Sequence, residues 1–119
     1  MIGAVLVALV ALIHAAILIM EMFLWETPRV RGLFRTTPEF ARATRVLAAN
    51  QGLYNGFLAA GLVLALVQGL PGPGQGLAQF ILPCVIVAGL YGAATAGRRI
   101  VYVQAAPAAL ALVAVLLKL

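Results

Sequence analysis

Serine is absent from this chain, and cysteine and histidine occur once each. Without serine there is no serine nucleophile. The single cysteine, Cys84, rules out an internal disulfide and a Cys-x-x-Cys redox or zinc site. The single histidine, His14, leaves haem pairing and multi-histidine metal centres short of ligands, so no metal site is expected. Charge is scarce too: 9% of the residues are charged and 65% are hydrophobic. Soluble domains carry about 25% charged and roughly 45–50% apolar residues. A chain this apolar cannot cover a water-facing surface, so the lipid bilayer is its expected solvent and first partner. No glycine-rich phosphate loop is present, and the residues name no cofactor. The net charge of +5 is not a nucleic-acid signal, because the basic residues lie between apolar runs, where they act as topology signals.

What the chain has in quantity is apolar sequence. It falls into four runs, about Ile2 to Trp25, Val46 to Leu70, Leu77 to Gly97 and Ile100 to Leu117. Each is close to the ~20 residues that a membrane helix needs. Backbone polar groups must be satisfied internally in lipid, so helices are the expected element. The first run lacks a basic start and exceeds a signal-peptide core, so it reads as a retained helix. In the long link 26–45, Thr37, Pro38 and Glu39 form an N-cap, a first-turn proline and an acid that suits the helix dipole. The second helix is therefore expected to begin near Pro38, ahead of its apolar part. Pro83 and Pro107 lie inside apolar runs, where membrane bundles tolerate kinks. The expectation is an all-α, four-pass domain covering residues 1–119, with helices at about 2–25, 38–70, 77–97 and 100–118.

Arg29, Arg31, Arg35, Arg42 and Arg45 occupy the first link, and Arg98 and Arg99 the third. The opposite side has only Lys118. The positive-inside rule then places both basic links in the cytoplasm and both termini outside, in a bacterial inner membrane.

Polar residues within apolar runs are costly and point to function. Counted inward from the cytoplasmic ends, Glu21 and Asn50 lie roughly 6 Å deep, Tyr54 and Asn55 about 12–14 Å, and His14 near the midplane at about 16 Å. Tyr91, Tyr102 and Gln104 fall in the same half. Asn50, Gln51, Tyr54 and Asn55 share an arc of about 140° on one helix. Gly52, Gly56 and Ala60 repeat every fourth residue beside them, a pattern for close helix approach. Glu21 is suited to hold charge, exchange a proton or pair with an arginine. His14 is a second acid–base candidate, or a neutral imidazole bonded between helices. Asn50, Gln51, Tyr54 and Asn55, with Tyr91 and Gln104, are the candidate ligand contacts. Trp25 reads as an interface aromatic, and Cys84 as inert packing.

The segments EMFLWETPRVRGLF (21–34), TPEFARATRVLAANQGLYNGFLAAGL (37–62) and GLYGAATAGRR (89–99) resemble a family of small bacterial membrane proteins, domain of unknown function 1304. The resemblance covers nearly the whole chain and implies that Glu21, Asn50, Gln51, Tyr54 and Asn55 are signature positions, without giving them a role. A weaker architectural similarity is to the membrane-associated eicosanoid and glutathione metabolism proteins. These are four-helix trimers that bind glutathione near the cytoplasmic face and carry an Arg…Asn motif opening helix two. Here Arg45 and Asn50 stand one residue further apart than that motif, and its following glutamate is missing.

The leading functional expectation is a site for a lipophilic or amphiphilic small molecule, open toward the cytoplasmic leaflet. The alternatives are a membrane enzyme, glutathione-transferase-like or an isomerase, a small proton-coupled transporter, and a structural assembly partner. A homo-oligomer, dimer or trimer, is expected with the Gly52/Gly56/Ala60 stripe as its seam.

Overall fold

The computed structural model describes residues 1–119. It is all-α: α1 (Ile2–Phe23), α2 (Pro28–Phe34), α3 (Pro38–Gln68), α4 (Gln75–Thr95), a π-helical segment (Val101–Ala105) and α5 (Ala106–Leu116). Three of these, α1, α3 and α4, are long and apolar enough to cross a membrane. Their length and composition point to membrane association. The last apolar stretch, Val101–Leu116, is shorter.

The helix positions follow the apolar runs to within a few residues. α1 stops at Phe23 rather than Trp25, and α4 begins at Gln75 and ends at Thr95. The N-terminus of α3 forms as its sequence dictates: Thr37 Oγ1 accepts from the Phe40 N–H at 3.1 Å, with Pro38 first in the helix. The short helix α2 was not expected. It starts on the same chemistry, because the Thr27 hydroxyl accepts from the Val30 N–H at 3.4 Å and Pro28 follows it. α2 ends at Arg35, whose backbone adopts φ 56°, ψ 46° and returns its N–H to the Arg31 carbonyl. That left-handed cap usually falls to glycine, so Arg35 bears a backbone cost.

The two internal prolines behave differently. Pro83 sits within an uninterrupted α4. Pro107 stands at the start of α5, just after the π segment, where the Ala106 N–H reaches back to the Val101 carbonyl. A proline ring crowds the carbonyl four residues earlier, and a local π adjustment relieves this crowding.

The chain divides into two compact units, residues 1–13 with 58–119, and residues 14–57. In the larger unit Val7, Val10, Leu62, Leu82 and Val85 form the core with Ala65, Ala78, Ala108 and Ala111. Small residues let its backbones approach. A Cβ on Gly89 would lie 2.9 Å from the Ala105 nitrogen, and one on Gly74 would overlap the Ala65 carbonyl. At one end of this unit the Gly3 N–H donates to the Leu119 carbonyl at 3.1 Å. Gln75 Nε2 donates to the Val115 carbonyl at 3.2 Å. Cys84, expected as packing, is instead exposed.

The Gly74 contact is backbone against backbone and cannot yield by a rotamer change. Gly74→Ala is therefore expected to destabilise by about 1–3 kcal/mol. Gly76→Ala meets nothing within 4 Å and should be neutral or stabilising by up to about 1 kcal/mol. Thermal unfolding of both variants in detergent micelles checks the pair.

Candidate functional site

The smaller unit holds the polar residues that the sequence singles out on α1 and α3. It comprises the end of α1, α2, the link around them and the first part of α3. Gly52 and Gly56 set its geometry. A Cβ on Gly52 would lie 2.8 Å from Met22 Cγ, 3.0 Å from Glu21 Cβ and 3.2 Å from the Leu18 carbonyl oxygen. One on Gly56 would run into Leu18 Cδ1. At Gly52 and Gly56 the stripe is thus met by α1 of the same chain. Ala60 is exposed.

Close approach at Gly52 sets Glu21 against α3. Asn55 Nδ2 donates to Glu21 Oε1 at 2.9 Å and to the Gln51 carbonyl at 3.0 Å. The second bond fixes the amide against its own helix, which aims the first at the carboxyl. Glu21 and Asn55 are both half-buried. Depth counted along the sequence matched Glu21 with Asn50 and set Asn55 deeper; the structure pairs Glu21 with Asn55 instead.

Trp25 does more than mark an interface. Its indole Nε1–H donates to Thr44 Oγ1 at 3.1 Å. Thr44 in turn donates to the Phe40 carbonyl at 2.7 Å. The indole also meets the Phe34 ring edge to face, with centroids 5.0 Å apart. One side chain therefore ties the end of α1 to α2 and α3. On the exposed side, Glu26 Oε1 stands 4.0 Å from Arg42 Nε, and the Glu26 carbonyl accepts from Arg31 Nε at 3.1 Å. An exposed ion pair of that length adds little stability.

Between these contacts lies an open groove of about 590 Å³. Its polar lining includes Glu21, Glu26, Arg45 and Asn50, and its apolar lining includes Trp25 and Val46. The volume lies within the roughly 300–1,000 Å³ of small-molecule sites. Arg45 and the groove itself were not among the residues and features picked out as ligand contacts. An arginine at the end of an apolar run reads first as a topology signal.

The remaining candidates are placed elsewhere. Gln51 and Tyr54 are exposed on α3, with the Tyr54 ring edge on to Phe57 at 5.9 Å. His14 is 1% exposed and is engaged with a partner. Tyr91 and Tyr102 are exposed in the larger unit. Gln104 is half-buried there, its Cβ 3.2 Å from where a Cβ on Gly89 would stand. No three His, Cys, Asp or Glu side chains are grouped to hold a metal ion.

These features define an all-α protein with three helices long and apolar enough to cross a membrane, and with a charged groove at one helix boundary. The family profile described as "Protein of unknown function (DUF1304)" matches residues 8–116, and the chain belongs to that family. No match is found among curated proteins or among solved structures.

The Glu21–Asn55 bond is open to a double-mutant cycle. Glu21→Ala and Asn55→Ala are expected to couple by about 0.6–1.7 kcal/mol, the range of interhelical hydrogen bonds in membrane proteins. Unfolding of the two single variants and the double variant in micelles measures the coupling, and a value near zero would remove the bond from the account.

Proposed function

We propose that this protein is a four-pass inner-membrane protein that binds an amphiphilic small molecule in the groove beside Glu21, at the cytoplasmic boundary of the membrane. The observation that carries the reading is the groove's composition. Two carboxyls, a guanidinium and an amide share a 590 Å³ space with an indole and aliphatic side chains. A molecule with a polar head and an apolar body satisfies both kinds of surface.

Two facts support four crossings. Residues 99 and 100 are already helical ahead of the π segment. With them the last stretch reaches the lower end of the roughly 17–25 residues that span a bilayer. The Gly3–Leu119 hydrogen bond also keeps the two ends of the chain together, as an even number of crossings requires. The arginines then set the orientation. In a Cys84→Ala background, Lys118→Cys is expected to react with a membrane-impermeant maleimide in intact spheroplasts. Arg29→Cys should react only after permeabilisation. Labelling of both in intact spheroplasts would overturn the topology.

Trp25 is the chain's sole tryptophan and lines the groove, so its emission reports on occupancy. Native mass spectrometry of the detergent-extracted protein should find an amphiphile bound to each chain. Ala49→Phe, which fills the groove wall, should release it and shift Trp25 emission. An empty wild-type chain after mild extraction, with emission insensitive to added amphiphiles, would sink the reading. The same spectra report whether the chain is a monomer, dimer or trimer.

A second reading, a glutathione-dependent transferase, draws on one observation: Arg45 and Asn50 line the same groove. It requires that glutathione, added to the purified protein, change Trp25 emission at millimolar concentration or below.

A further inference from the structure

The groove's polar groups are ordered along α3. Glu26 stands at the level of Arg42, 4.0 Å from its Nε. Arg45 lies about 4.5 Å further along the helix axis, and Asn50 about 7.5 Å beyond Arg45. Glu21 comes next, its Cβ 3.0 Å from where a Cβ on Gly52 would stand. On the orientation proposed above, this direction runs from water toward hydrocarbon. The groove therefore presents, in sequence, a carboxylate, a guanidinium, an amide and a half-buried carboxyl. The exposed aliphatic wall of Val46 and the exposed ring of Phe23 complete it.

We propose that the groove holds a glycerophospholipid with a primary-amine headgroup. This deepens the binding reading and rests on it. From the water inward, such a lipid presents an ammonium, a phosphate, ester oxygens and acyl chains. Each meets its complement: the ammonium meets Glu26, the phosphate Arg45, and the esters the Asn50 amide. The chains leave past Val46 and Phe23 into the bilayer. Arg45 makes no hydrogen bond or ion pair within the protein, so its guanidinium is available for a two-pronged phosphate contact. Glu26 is held only by the long contact to Arg42 and by backbone acceptance from Arg31. One carboxylate oxygen is thus open to a cation.

The order of charge separates this lipid from its competitors. An anionic lipid without an amine would still find Arg45, but would set an uncharged head against Glu26. The link arginines attract anionic lipid generally, and salt screens that attraction. A simple alkylamine would meet Glu26 and leave Arg45 unfilled. Headgroup preference at high salt is therefore the discriminating observation.

The test titrates the purified full chain, in detergent at high salt, with dihexanoyl phosphatidylethanolamine, dihexanoyl phosphatidylglycerol and dodecylamine. Trp25 emission and native mass spectrometry are the readouts. The ethanolamine lipid is expected to bind at least about tenfold more tightly than either of the others, a difference of about 1.4 kcal/mol. Glu26→Gln should bring the two phospholipids to equal affinity. Arg45→Gln should weaken both phospholipids and leave dodecylamine unchanged. Both residues are exposed, so neither substitution disturbs a packed contact. Equal affinity of the two phospholipids for the wild-type chain, with Ala49→Phe still blocking both, would overturn the headgroup assignment and leave the groove as a site. Responses that Ala49→Phe does not reduce would mean lipid bound elsewhere, and would overturn the groove along with the headgroup.

Discussion

Close approach of helix backbones is the constraint on which this structure depends. Among lipids, apolar side chains gain nothing by leaving their solvent for a protein interior, so helix contacts rely on packing at small residues. The buried positions fit that demand. Alanine recurs through the core at 65, 78, 108 and 111, and glycine stands where the contacts are tightest, at 52, 56, 74 and 89. Large apolar side chains such as Leu9, Val63, Phe80 and Leu110 are exposed. So large an outward apolar surface is consistent with membrane association.

The same constraint builds the site. Gly52 lets α1 come close to α3 at the Leu18 carbonyl and the Glu21 Cβ, and this proximity allows the Asn55 amide to reach the carboxyl. Trp25 then fixes where the chain goes after leaving α1, through Thr44 on one edge and Phe34 on the other. The groove is the space left between these two fastenings. Its lining includes Glu21 and Met22, which meet Gly52, and Trp25 with Glu26 and Thr27 of the link that follows α1.

Much of this was legible in the sequence. Apolar runs located the long helices, and Thr37-Pro38 located the start of α3. The identical Thr27-Pro28 pair announced α2, but seven residues are too few turns for a periodic pattern to accompany the cap. The π segment had no signal beyond Pro107, because a widened turn is decided by how the ring meets the preceding carbonyl. Equal depth pointed to Glu21 with Asn50, whereas the bond forms with Asn55, placed deeper by the count. Depth and face could not say which polar residues would meet and which would face outward, as Gln51 and Tyr54 do. Nor could a four-residue repeat tell that Gly52 and Gly56 meet α1 while Ala60 is exposed. That choice depends on where the neighbouring helix crosses.

The length of α3 has a consequence of its own. Its 31 residues extend about 46 Å, whereas the hydrocarbon layer measures about 30 Å. The surplus is at the Pro38 end, where Glu39, Arg42 and Arg45 lie, so on the four-pass reading proposed above α3 would reach from the acyl region into the headgroup layer. A helix of set length cannot shorten, and a bilayer of different thickness would have to tilt it or bend around it. On the membrane reading, hydrophobic mismatch would then be transmitted directly to the height of Glu26 and Arg45 above the acyl boundary. The groove is in this sense a fixed gauge set against a variable leaflet.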